Sequence, residues 1–469
     1  MNLTLNSPLR STVLAFCMAA IAAAGLFAGT SAQARQATLS DQQIDNLVRR
    51  SYQYVAMYNV IHKVALKFGG RWNVCVADTQ LKDHTTREIA RPNNDSLYIT
   101  CLVDVRKDPV ILEMPAFDSK YVSLMNTAYD HYVTIPMATS LGDFGKPEKM
   151  LIYSARSEGY RKGTKVKGVD RYFEATGDFV SVIFRAMPHA SEPERFKRIV
   201  KQMQAVKLVT LSEYNGGKPR PVKAIQSPAV GKTDADIFGN NLLPVMQYVF
   251  NHTTFDPKDK LDRAVLAAYR PLGVVPGRKF DATKVAAIDG AKVRKAAERI
   301  FAEEMAKTRQ LAADPGLFLP KGKIGLDLLL FQSVFGPIGQ PASQALYPAI
   351  ETADGKPMNA MHDYVIRMAA KDMPPAKVFW SVTLYDLKNG FFIPNERKKY
   401  SVGENAGMKL NKDGGIEIYI AASKPQGVPE ENWLPIERKD EDIDAVLRVY
   451  IPDLEKMKTW QTPKAEMLK

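Results

Sequence analysis

Arg91, Asn94, Asp95 and Tyr98 crowd into one short stretch, and their types suit proton chemistry. In one reading Asp95 is a general acid or base and Tyr98 a hydrogen-bond donor, both facing a cleft. In the other all four are structural: Asp95 caps a turn, Arg91 pairs with it, and Tyr98 buries its ring. A second group stands in the last quarter of the chain: Trp380, Tyr385, Asp386, Asn395, Arg397, Tyr400, Asn432, Trp433 and Arg448. Rings that stack on a sugar face, beside amides and carboxylates that take its hydroxyls, make a sugar-binding groove. The structural alternative puts Trp380 and Trp433 in a core and joins Asp386 to Arg448 as an ion pair. The catalytic candidates are therefore Asp95, Tyr98 and Asp386. The ligand-binding candidates are Arg91, Asn94, Tyr385, Asn395, Arg397, Asn432, Trp433 and Arg448.

Motifs that are missing narrow the chemistry. The chain has no HExxH, CxxC or GxSxG, and no Ser followed three residues later by Lys. Gly231-Lys232-Thr233 has Gln226 where a phosphate loop needs its first Gly. The six histidines, His62, His84, His131, His189, His252 and His362, lack ligand spacing. No metal and no cofactor is expected.

The elements that would position these residues are strands. Residues 376–386 follow Pro374-Pro375 and alternate aromatic and β-branched side chains, a period of two. Val378, Trp380, Val382 and Leu384 make an apolar face for a core. Ser381, Thr383 and Tyr385 make a hydroxyl face suited to water or a cleft. Asn389-Gly390 then turns the chain. Alternating runs at 416–421 and 446–451 repeat the signal. Further strands are expected at 97–105, 110–114, 121–126, 132–135, 150–153 and 179–185, between prolines. Ser40 to Gln43 fits a capping box that opens a helix ending at Gly69-Gly70. Ser191 to Glu194 fits another, opening a basic amphipathic helix through Leu211. Helices at 236–250, 260–269, 285–308 and 324–335 fill the middle of the chain.

The chain has 469 residues, of which 45% are hydrophobic and 25% charged, a balance that argues against wholesale disorder. Residues 1–34 read as a secretory signal peptide: Arg10, an apolar run at 13–27, then Ala32-Gln33-Ala34. The protein is expected in the periplasm or outside the cell, with no transmembrane span, since later apolar runs are too short to cross a bilayer. The net charge of +13 is scattered among acidic residues and reads as a solvated basic surface. Nucleic acid is not an expected partner. Beyond the leader only Cys75 and Cys101 remain, and either a disulfide or two buried thiols fits.

Two resemblances extend this reading. FWSVTLYD at 379–386, NERKKYS at 395–401, NWLP at 432–435 and LRVYIP at 447–452 resemble the bacterial domain of unknown function twelve-fourteen. RPNNDSLY at 91–98, with Asp104 and Asp108-Pro109-Val110, resembles the opening of domain of unknown function twelve-fifty-four. Gly273 to Gly277 and Phe280-Asp281 resemble its close. That family often has Thr at Ser96 and a basic residue at Asn94. The resemblances imply an α+β fold: two antiparallel β-sandwich or jelly-roll-like domains bridged by a helical segment. The strand pattern agrees for the C-terminal domain. The expected boundaries are 1–34 signal peptide, 35–225 N-terminal β-rich domain with a leading helix, 226–340 helical bridge, and 341–469 C-terminal sandwich. Neither family implies a reaction. The expectation is an envelope protein binding a small molecule or glycan between its β domains. The alternative is a hydrolase or lyase of an envelope polymer working through Asp carboxylates. Assembly into a homo-oligomer stays open.

Overall fold

The computed structural model of the chain describes residues 39–87, 91–222, 226–283 and 287–469. The leader expected at 1–34 lies outside the described residues.

The helix Asp41–Lys67 opens where its sequence says it should. Ser40 Oγ accepts the amide of Gln43, and Gln43 returns a bond to the Ser40 amide. Gly69 and Gly70, both at positive φ, end it.

The N-terminal β domain is two sheets face to face. One has five strands in the lateral order Val74–Asp78, Leu97–Asp104, Phe179–Ala186, Val122–Thr127 and Val133–Ala138. The other orders Arg171–Ala175, Glu148–Ser154, Val110–Met114 and Lys207–Thr210. Alternation sorts the side chains. Leu97, Ile99, Cys101 and Val103, with Val180, Val182 and Phe184, enter the core between the sheets. Their neighbours Tyr98, Leu102, Phe179, Ile183 and Arg185 face the other way. Leu102 and Phe179 pack on Asp41–Lys67 and Leu242–His252, and Ile183 packs on Phe331 of Leu326–Phe335. Cys75 and Cys101 stand opposite one another in register and form a disulfide.

The C-terminal domain repeats the plan. Asp442–Pro452 pairs with Ala376–Asp386, which pairs with Ser401–Gly403. Short strands Ala345–Leu346, Ala349–Ile350 and Met358–Asn359 pair with Asp442–Pro452 on its other edge. The second sheet orders Trp433–Pro435, Ile416–Ala421, Tyr364–Met368 and Ala465–Met467. Trp380, Val382 and Leu384 enter the core between these sheets with Leu447, Val449 and Ile418. Among the described strands the pairing is antiparallel except for one parallel pair in each second sheet, with one further isolated parallel bridge, Thr352 to Ala465. The fold is thus α+β, two β-sandwich-like domains bridged by helices.

Three local expectations are corrected. A bulge between Ala376 and Phe379 turns Val378 away from the sandwich core, toward the cluster holding Phe379 and Tyr450. The second amphipathic helix is Pro193–Gln204, with Glu192 rather than Ser191 at its N-cap and no side-chain cap bond. It stops short of Leu211 because Lys207–Thr210 pairs with Val110–Met114 as an edge strand, a tertiary contact that overrides the helical pattern. The stretch expected as one helix at 236–250 is two, Asp234–Asn240 and Leu242–His252, with the Asn241 backbone outside the helical region between them.

Candidate functional site

The five-stranded sheet of one domain and the Ala376–Asp386 sheet of the other lay polar faces against a shared layer. Register fixes who faces it. Arg185 stands between Tyr98 on one neighbouring strand and Ser123 on the other. Across the layer Arg448 stands beside Ser381, and Tyr450 beside Phe379. Ser381, Thr383 and Tyr385 are all at most 1% exposed, so the hydroxyl face is sealed rather than wet.

The segment just before Leu97–Asp104 crosses the layer. Arg91 adopts positive φ, donates its amide to Gly390 O and ion-pairs with Asp444. Asn93 Oδ1 accepts the Asp95 amide at 2.6 Å, so Asn93 makes the turn bond. That frees the Asp95 side chain to reach the far domain. Its Oδ2 accepts from Ser381 Oγ at 2.5 Å and from Tyr450 at 3.2 Å. Asn94 donates to Lys82 O and accepts from Ser401 Oγ.

Two guanidiniums share the layer with this carboxylate. Arg448 Nη2 donates to Tyr385 OH at 2.6 Å and to Arg91 O at 3.2 Å, and the rings of Tyr385 and Tyr347 lie within 6.0 Å. Arg185 Nη2 donates to Ile338 O, and its guanidinium lies over the Tyr98 ring. Tyr347 feels the field of both. Nε of Arg185, Nε and Nη1 of Arg448, and Oδ1 of Asp95 have no hydrogen-bond partner among the described residues. Burial raises the Asp95 pKa, opposed by Arg448 and the Ser381 and Tyr450 hydroxyls. For Arg448 burial works against the charge, but Tyr385, Tyr450 and Asp95 outweigh it and the pKa rises. The Tyr385 hydroxyl is pushed up to about 12, chiefly by burial. Besides the Arg91–Asp444 ion pair, the layer therefore holds two guanidiniums, Arg185 and Arg448, and one carboxyl, Asp95.

With this geometry in place, family models match two segments of the chain. Residues 72–210 match the family described as protein of unknown function DUF1254, and 344–454 match DUF1214. The two domains stand in tandem. No curated protein matches significantly. The solved VPA0106 protein from Vibrio parahaemolyticus is similar in fold, with a TM-score of 0.70 at 22% identity, over 92% of this chain and 100% of that one. An uncharacterized protein from Burkholderia cenocepacia aligns at TM-score 0.42 and 14% identity, over 91% and 96%.

The layer between the DUF1254 and DUF1214 domains brings together Arg91, Asn94, Asp95, Tyr98, Tyr385 and Arg448. The other candidates stand apart. Asp386 accepts the amides of Asn389 and Phe391, which close the turn after the strand, and no ion pair joins it to Arg448. Asn395 bonds to the backbone of Ile393 and Lys399, and Asn432 to that of Lys409. Trp433 is buried and donates to Ala421 O, while Arg397 covers its ring and pairs with Glu430. Arg91 pairs with Asp444 rather than Asp95. Sequence reasoning missed Arg185, Tyr347 and Tyr450. The usable signal at 179–186 was an arginine on an otherwise apolar alternating run.

Among the described residues no group of three or more His, Cys, Asp or Glu is placed to hold a metal ion. Nor is any described helix long and apolar enough to cross a membrane.

Proposed function

We propose that this is an exported protein that binds a small acid, a carboxylate or phosphate and including acidic sugars, between its DUF1254 and DUF1214 domains. The observation that carries the reading is the set of unpartnered N–H groups on Arg185 and Arg448. A buried donor without an acceptor costs about 1–3 kcal/mol, and more on a charged group. An oxyanion accepts two guanidinium N–H bonds at once and offsets the excess positive charge. Asp95 and the tyrosine hydroxyls would then read the hydroxyl-bearing part of the ligand. Export is supported by the leader pattern and by the disulfide, which suits an oxidising compartment. The hydrolase alternative calls for paired carboxylates; Asp386, the second of the pair expected from sequence, instead serves backbone amides.

Thermal-shift titration against small acids and their neutral amides or alcohols tests this. A ligand at a hundredfold its Kd stabilises by about 2.7 kcal/mol. The expected result is a saturable rise in Tm with an acid, absent with its amide, and lost in Arg448→Met and Arg185→Met. No rise with any acid at millimolar concentration, in protein refolded in acid-free buffer, would sink the reading.

A further inference from the structure

At the opposite end of the five-stranded sheet lies a cavity of about 500 Å³. Register separates the two places. Arg185 and Tyr98 mark one end of their paired strands, and Phe179 and Asp104 the other. Six residues at about 3.3 Å each put the cavity roughly 20 Å from the interdomain layer.

One wall of it is aromatic, formed by His62, Trp72, Phe179 and Tyr248. Trp72 packs on Phe179 with ring centroids 4.5 Å apart. His62 meets Trp72 edge-on at 5.8 Å and Tyr248 at 5.5 Å. His62 Nε2 bonds to Tyr129 OH at 2.7 Å, and burial lowers its pKa to about 4, so it is neutral at pH 7. The two charged residues in the wall neutralise each other: Arg106 grips Asp104 through Nε and Nη2 at 2.9 and 2.7 Å. The Arg106 guanidinium also lies over Phe179, 5.0 Å from the ring centre. At the rim Leu66 is 64% exposed and Val222 39% exposed.

We infer that this cavity is a second binding site, for a small uncharged molecule carrying an aromatic or fused ring. The volume falls within the ~300–1,000 Å³ of small-molecule sites, which are mostly apolar with a few polar groups. Among the described lining residues an anion finds no spare charge, because Arg106 is held by Asp104. A cation meets Arg106 already seated on one of the ring faces it would use. A neutral ring has stacking partners on the walls and apolar side chains at the entrance.

The test uses the mature protein and N-phenyl-1-naphthylamine, an uncharged fluorophore. The expected result is a saturable, one-site gain in fluorescence, with energy transfer from tryptophan that weakens in Trp72→Phe. Naphthalene should displace the probe and naphthalene sulfonate should not. Ala229→Trp, at an exposed position on the cavity wall, should weaken binding at least tenfold, as should Ala65→Leu from the helix side. Arg448→Met should leave binding unchanged, which separates this site from the interdomain one. Non-saturable binding, equal displacement by the sulfonate, or full binding by folded Ala229→Trp would overturn the inference.

Discussion

Ser381 Oγ donates to Asp95 Oδ2 at 2.5 Å, joining residues 286 positions apart and belonging to different domains. Both are at most 1% exposed. A carboxyl held this far from water is stabilised by the donors around it, here Ser381 and Tyr450 with Arg448 nearby.

Asp95→Asn tests that balance. The native state holds the Asp95 proton more tightly than the unfolded chain, because burial raises its pKa. This residue's contribution to stability therefore falls as pH rises upward from the usual carboxylate range. Asn carries no such charge, so the stability of the variant relative to the parent should rise as pH climbs out of the usual carboxylate range, read from melting curves at successive pH values.

Gly403 has no room for a side chain. A Cβ there would lie 2.5 Å from Trp380 O and 2.8 Å from Ser381 Cα. Gly403→Ala must push Ser401–Gly403 away from the strand carrying Ser381. The expected loss is about 1–3 kcal/mol by denaturant unfolding, with a weaker response to acids.

The Cys75–Cys101 disulfide closes a span of 26 residues. Loop-closure entropy puts its contribution at about 3.5 kcal/mol. Cys75→Ser with Cys101→Ser should lower the denaturation midpoint accordingly. Alkylation of the native protein without reductant should label neither cysteine.

Asp130 and His131 are neighbours with opposite pH signs. Burial raises Asp130 to about 6 and lowers His131 to about 4. Between about pH 4 and 6 the native Asp130 holds more proton than the unfolded chain, so its contribution falls as pH rises. His131 holds less, so its contribution is full above about pH 6.5 and is lost as pH falls toward 4. Asp130→Asn removes the first and leaves the second. Its stability should drop more steeply on acidification than that of the parent, measured by urea midpoints.

The strand at 376–386 is legible in sequence because alternation is a local property, and a core on one face demands it. What its hydroxyl face meets is not, since Asp95 arrives from a distant loop. The same limit explains Arg91, whose partner Asp444 stands 353 residues away. Lys207–Thr210 hides inside a helical pattern because an edge strand is made by its neighbour. Asn395 and Asn432 have the right types for a sugar groove, but such amides serve loop backbone equally well, and composition does not separate the two uses.

Asp95, Arg185 and Arg448 are each no more than 5% exposed. Exchange at that layer requires the two sheets to part, a motion opposed by the bonds that Arg91, Asn94 and Asp95 make to Asp444, Ser401, Ser381 and Tyr450. A counter-anion captured while the domains close would therefore leave slowly and copurify as a passenger. Native mass spectrometry of freshly isolated protein, before and after unfolding and refolding in acid-free buffer, is where its mass should appear and then vanish.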